Sequence, residues 1–130
     1  MRPLVHPEIK DVPLEVMLHA LSDPVRVAIF ADIVQQDCTQ SCSGFLTVAD
    51  KAIPKSTLSQ HFKVLREAGL IRSERRGVEM HTAARCVEVN ARYPGMLAAI
   101  LKAHETQMME RAEKGRARGA RASRKAGTRK

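Results

Sequence analysis

The 130-residue chain has no tryptophan, one tyrosine and three phenylalanines, so aromatic residues make up only 3% of it. Its core must be packed from Leu, Val, Ile, Met and Ala, and a surface that stacks single-stranded bases on aromatic rings is disfavoured. Long apolar runs are missing too: the longest, Met96 to Leu101, is far too short to span a bilayer. Acids at Glu8 and Asp11 interrupt any early targeting pattern, so a cytoplasmic location without a membrane partner is expected. Cysteine is scarce, and in a reducing compartment three cysteines are expected to be thiols, ligands or sensors rather than a disulfide framework. No glycine-rich phosphate loop, Cys-x-x-Cys pair or cysteine-base-acid set stands out, so no enzymatic activity is expected.

What the chain does have is positive charge, a formal +8, and that charge is unevenly placed. Beyond Glu113 there is no acid, while Lys114, Arg116, Arg118, Arg121, Arg124, Lys125, Arg129 and Lys130 account for the whole excess, leaving residues 1–113 neutral. Inside that neutral body residues 55–85 are locally +4, through Lys55, Lys63, Arg66, Arg72, Arg75, Arg76 and Arg85 against Glu67, Glu74 and Glu79. A polyanionic partner is implied.

Three segments are expected: an N-terminal arm over 1–12, one domain over 13–113, and a basic disordered tail over 114–130, whose Ala, Gly, Arg, Lys, Ser and Thr cannot form a core. Leu14, Met17, Leu18 and Leu21 recur at helical spacing behind Pro13, and Ser22-Asp23-Pro24 stops that helix and caps a second one that ends near Asp37. Residues 38–44 are rich in turn formers, and Phe45–Asp50 is read as a short helix, with a short strand as the alternative. After Pro54 the clearest helix begins at Lys55-Ser56, with Thr57 and Gln60 at capping-box spacing, Leu58, Phe62 and Leu65 on one face, and Gly69 as its terminator. From Leu70 to Ala83 short extended runs flank a basic turn at Gly77, which predicts a β-hairpin. Tyr93, Leu97, Ile100, Leu101, His104 and Met108 then predict one long helix over about Ala91–Arg111. Its stripe and the first helix are the candidate homodimer interface.

Helices followed by a helix with small polar residues at its start, and then by a basic hairpin, make a mainly α fold with a small β wing: a winged helix-turn-helix. Such a helix enters the major groove by its N-terminal part. Ser56, Thr57, Ser59, Gln60 and His61 would then face bases or phosphates while Leu58, Phe62 and Leu65 face inward. Lys55 and Lys63 would meet phosphates, and Arg75 and Arg76 at the hairpin tip would reach the adjacent backbone or minor groove.

The stretches Ala20-Leu21-Ser22-Asp23-Pro24-Val25-Arg26, Lys55 to Ile71 and Arg75-Arg76-Gly77 resemble the ArsR/SmtB family of winged-helix repressors, over roughly residues 13–110. The resemblance implies a homodimer joined by its first and last helices and bound to double-stranded operator DNA until an inducer releases it. That family's Cys-x-Cys metal site is replaced here by Cys38-x-x-x-Cys42, and on the last helix only His104 with Glu105 or Glu110 stands where a zinc site would need two pairs. No cofactor is required. The inducer expected is a trivalent metalloid, arsenite or antimonite, held by the thiolates of Cys38, Cys42 and Cys86, since soft ions favour sulfur. A thiol-based redox switch on the same residues is one alternative, and an architectural protein that binds any nucleic acid through its basic tail is the other.

Overall fold

The computed structural model describes residues 4, 6–36, 40–41, 47–48 and 51–127. The chain comprises two compact units, Met1–Leu97 and Ala98–Lys130. In the first, helix α1 (Leu14–Ala20) is followed by α2 (Pro24–Gln36), short strands β1 (Gln40–Ser41), β2 (Thr47–Val48) and β3 (Lys51–Ala52), helix α3 (Lys55–Glu67), the hairpin β4 (Ile71–Arg76) and β5 (Glu79–Ala84), and helix α4 (Cys86–Arg92). Helix α5 (Met96–Gly127) begins at the end of this unit and makes up most of the second.

The α1–α2 corner is built by three side chains. Asp23 Oδ1 accepts the backbone N–H groups of Val25 (2.8 Å) and Arg26 (3.1 Å), which caps α2 directly before its first-turn Pro24. Arg26 turns back to donate to the carbonyls of Ala20 (2.8 Å) and His19 (3.4 Å), satisfying the end of α1. Ser22 Oγ donates to the His19 carbonyl as well.

Helix α3 is held by its buried face, Leu58, Phe62 and Leu65, which joins Met17, Ile29, Phe30, Ile33, Leu70 and Ile71 in the core. It packs against α1, α2 and β4. It starts at Lys55 as expected, but the capping box expected at Thr57 and Gln60 is not formed: Pro54 is the N-cap residue and no side chain caps the helix. Its end follows the expectation. Gly69, at φ +75°, donates to the Arg66 carbonyl while Leu70 donates to Leu65, the paired bonds of a Schellman termination. The chain then enters β4.

The hairpin expected between Leu70 and Ala83 is present, with Ile71 opposite Ala84 and Arg76 opposite Glu79 around a Gly77-Val78 turn. Gly77 has φ +64°, a conformation that favours glycine in so tight a turn. β1 adds to the other side of β5, giving the antiparallel order β1-β5-β4 and leaving β4 at the edge. Ser73 and Thr82, cross-strand partners and both buried, satisfy each other through their hydroxyls at 3.1 Å.

Four expectations are corrected. The short helix read over Phe45–Asp50 is not formed at Thr47–Val48, which pairs antiparallel with Lys51–Ala52; β-branched Thr47 and Val48 suit a strand. The single helix read over Ala91–Arg111 is two helices, because Pro94 disfavours helical backbone at Tyr93 and Gly95 adopts φ +83°. Its second part does not stop at Arg111 but runs to Gly127, through the segment expected to be disordered. A helix needs no core to satisfy its backbone, and Ala, Arg and Lys are strong helix formers.

The fourth correction concerns the arm, expected as a segment apart from the domain: its described residues 6–12 pack onto that domain. Ile9 and Val12 are buried around a 3₁₀ turn, Ile9–Asp11. Arg85, 6% exposed, donates to the Pro7 carbonyl (2.8 Å) and clamps Glu88 through Nε (2.7 Å) and Nη2 (3.3 Å). Arg92 donates to the carbonyls of Ile9 and Val12. His6 Nε2 accepts the Ser73 amide at 3.0 Å and so covers an edge-strand donor of β4.

This last bond requires neutral imidazole at Nε2. Burial, and then the charges of Arg72, Arg66 and Arg85, lower the His6 pKa below 6.5. The unfolded chain therefore binds the proton first, so the contribution of His6 to stability is complete above pH 6.5 and is lost as pH falls through the lowered value. Denaturant unfolding of the protein and of a His6→Ala variant checks this: the wild type is expected to be the more stable at pH 7.5 and to lose that advantage by pH 5. A difference that does not change with pH would contradict it.

Candidate nucleic-acid interface

One face of α3 is in the core, and the other carries the predicted reading residues. Lys55, Ser56, Thr57, Ser59, Gln60 and Lys63 are all exposed, and they lie on the first half of the helix or just beyond it. With no side-chain cap, the first-turn N–H groups are directed toward the same end as the Ser56, Thr57 and Ser59 hydroxyls. Local positive charge, the helix dipole and hydroxyl groups coincide there, the combination that suits phosphate oxygens and base edges.

His61 departs from this set. Its side chain is half-buried, its Nδ1 is buried without a hydrogen-bond partner among the described residues, and it lies near enough to the Asp23 carboxylate to favour that group's charged form. Burial alone would raise the Asp23 pKa, but the amides of Arg26 and Val25, with the charges of Arg26 and His61, bring it below the usual carboxylate range. His61 thus belongs to the α2–α3 junction more than to the exposed face.

At the wing, Arg75 and Arg76 are both exposed, and as neighbours on one strand they project from opposite faces of the hairpin. Arg76 sits 3.4 Å from Glu74 in an exposed pair, which is worth little in water. Arg75 has no ion pair among the described residues. Between the arginines and Glu79 the tip carries Val78, fully exposed.

One of the three cysteines falls among the described residues. Cys38 and Cys42 lie outside them. Cys86 is half-buried at the first position of α4, next to Arg85. Among the described residues no group of three or more His, Cys, Asp and Glu is placed to hold a metal ion, and no helix is long and apolar enough to cross a membrane.

Arg26 and Arg85 are the functional-site neighbours that sequence reasoning did not single out. Both position the candidate reading elements indirectly: Arg26 fixes the α1–α2 corner, and Arg85 ties the end of the wing to Pro7 and Glu88. For each, an acid three residues away, Asp23 or Glu88, was the only local signal. The Arg85 bond to Glu88 also depresses the Glu88 pKa, outweighing its partial burial, with the charges of Arg85 and Arg72 adding to the effect.

Residues 21–74 match a family model described as a helix-turn-helix domain. The chain is similar in structure to an ArsR-like transcriptional regulator from Rhodococcus sp. RHA1, with 24% identity and a TM-score of 0.51, covering 78% of this chain and 87% of that one. It is similar also to M. tuberculosis Rv0081, with 25% identity and a TM-score of 0.50 over 78% and 89% of the two chains. The transcriptional repressor BigR from Xylella fastidiosa matches with 26% identity and a TM-score of 0.49 over 64% and 85%. No curated protein sequence matches. With the helix-turn-helix match and the α3–wing geometry, the fold is a winged helix-turn-helix, the fold of these regulators.

Proposed function

We propose that the protein is a homodimeric transcriptional repressor that reads double-stranded operator DNA with the first half of α3 and the Arg75-Arg76 wing, and that a cysteine-directed inducer releases it. The observation that carries this reading is the division of α3: Leu58, Phe62 and Leu65 are buried while Ser56, Thr57, Ser59 and Gln60 are exposed beside two lysines. Such a helix is held rigidly by one face and has a hydrogen-bonding set free on the other, as major-groove readout needs. Dimerisation gives two such helices, and the exposed apolar residues of α1, Leu14, Val16 and Leu18, support an interface at that helix together with α5.

The inducer in this reading is a trivalent metalloid bound by Cys38 and Cys42, with Cys86 as a third thiolate. Two cysteines four apart, immediately after α2 and ahead of α3, would couple ion capture to the spacing of the two reading helices. The ion then shifts the population toward a form that no longer fits DNA.

The test is anisotropy of the reduced protein on duplex DNA from its own upstream region, before and after one equivalent of antimonite per subunit. Release is expected from the wild type, and none from a Cys38→Ser/Cys42→Ser variant that binds DNA as tightly. Antimonite release from the double variant would end the cysteine assignment, and no release from the wild type would end the metalloid one.

A further inference from the structure

The C-terminal part of α5 is a charged surface that the reading helix and wing leave unused. From Lys114 to Ala122 every residue is helical and exposed. At 100° per residue, Lys114, Arg118 and Arg121 fall within a sector of about 60°, position 125 continues the same register with another lysine, and Arg116 lies on the opposite side. These cations stand three and four residues apart, the spacing at which like charges on a helix repel. No acid follows Glu113 to relieve them.

We propose that this stripe is a second, sequence-independent binding element for duplex DNA, with Lys114, Arg118 and Arg121 each neutralising a backbone phosphate. The rest of the segment is Ala, Gly, Ser and Arg, so it has no apolar ridge with which to enter a protein groove. It also lacks the Leu, Phe and Trp face by which amphipathic helices enter a bilayer. Charge is the only recognition chemistry it carries, and a regular polyanion relieves the repulsion along its stripe. The element would add affinity and salt dependence without adding sequence preference.

The experiment uses the full-length chain and a random-sequence 30-base-pair duplex, titrated across a range of KCl concentrations. A K114Q/R118Q/R121Q variant, whose glutamines keep helix propensity, is expected to bind at least 10-fold more weakly at 100 mM KCl. The slope of log affinity against log salt should become shallower by about 2–3, near 0.9 for each lost phosphate contact. R116Q should leave the slope unchanged. An unchanged slope in the triple variant, or an equal loss per charge in R116Q, overturns the stripe. Loss of binding to phosphatidylglycerol vesicles with duplex binding intact overturns it in favour of a membrane surface. Because this duplex carries no selected site, the result does not depend on whether α3 reads sequence.

Discussion

A Gly69→Ala variant is expected to lose about 2–3 kcal/mol of unfolding free energy, through two separable effects. Gly69 closes α3 in the left-handed region, at φ +75°, where any side chain costs about 1–2 kcal/mol. It also stands against the arm: a Cβ there would lie 2.9 Å from Ile9 Cδ1 and 3.3 Å from Val12 Cγ2, and both of these residues are buried. An Ile9→Val change removes the nearer atom. By itself it should destabilise by about 0.5–1.5 kcal/mol, but in the Gly69→Ala background that cost should largely disappear. Denaturant unfolding of the four proteins in the cycle measures the coupling. Additive losses would mean that the arm does not press on the α3–wing joint.

The position matters because Gly69 links α3 and the wing, the two elements proposed to read DNA. Residues 66–71 end α3, reverse the chain and start β4, so any shift there reorients the wing relative to the helix. The arm braces this joint from across the sequence, through His6 on Ser73 and Arg85 on Pro7.

The parts of the fold legible in the sequence are those whose cause is local. Leu58, Phe62, Leu65 and Gly69 carry the face and the stop of α3 within fifteen residues, and Gly77 between extended basic runs carries the hairpin. The packed arm was not legible, since the bonds of His6, Pro7 and Ile9 reach partners 67, 78 and 83 residues away and leave no pattern nearby. Helix α4 was hidden for another reason: Val87 and Val89 are poor helix formers, and the local Arg85–Glu88 pair that supports it depends on an arginine held by the arm at Pro7. Tyr93 and Leu97 happen to keep a four-residue spacing across the Pro94-Gly95 break, so periodicity alone ran the two helices together.

The exposed face of the candidate site was readable by subtraction. Once the buried positions of α3 are assigned, Ser56, Thr57, Ser59 and Gln60 must lie outside, and their exposure follows. His61 was less readable because it borders the buried stripe, and its environment depends on Asp23, the cap of α2.

The second large effect is expected at Ser59 and Gln60. Glutamine can bond adenine through two atoms, and each well-formed base contact discriminates by about 1–3 kcal/mol. Removing both side chains should therefore lower affinity for the preferred site about 100-fold. Neither has a structural bond among the described residues, and exposed substitutions of this kind usually change stability by less than about 0.5 kcal/mol. Losses on an unrelated duplex should be small, because phosphate contacts from Lys55, Lys63 and the wing remain.

The central claim, that α3 reads sequence, is tested most directly by selecting bound duplexes from a random pool with the full-length protein. Anisotropy of the selected and a scrambled duplex at 150 mM KCl then compares the wild type with the Ser59→Ala/Gln60→Ala variant. The account predicts a selected site preferred by about 10³-fold or more, with that preference reduced about 100-fold in the variant while binding to the scrambled duplex is unchanged. A pool that yields no preferred sequence, or a variant that keeps the wild-type preference, would contradict it.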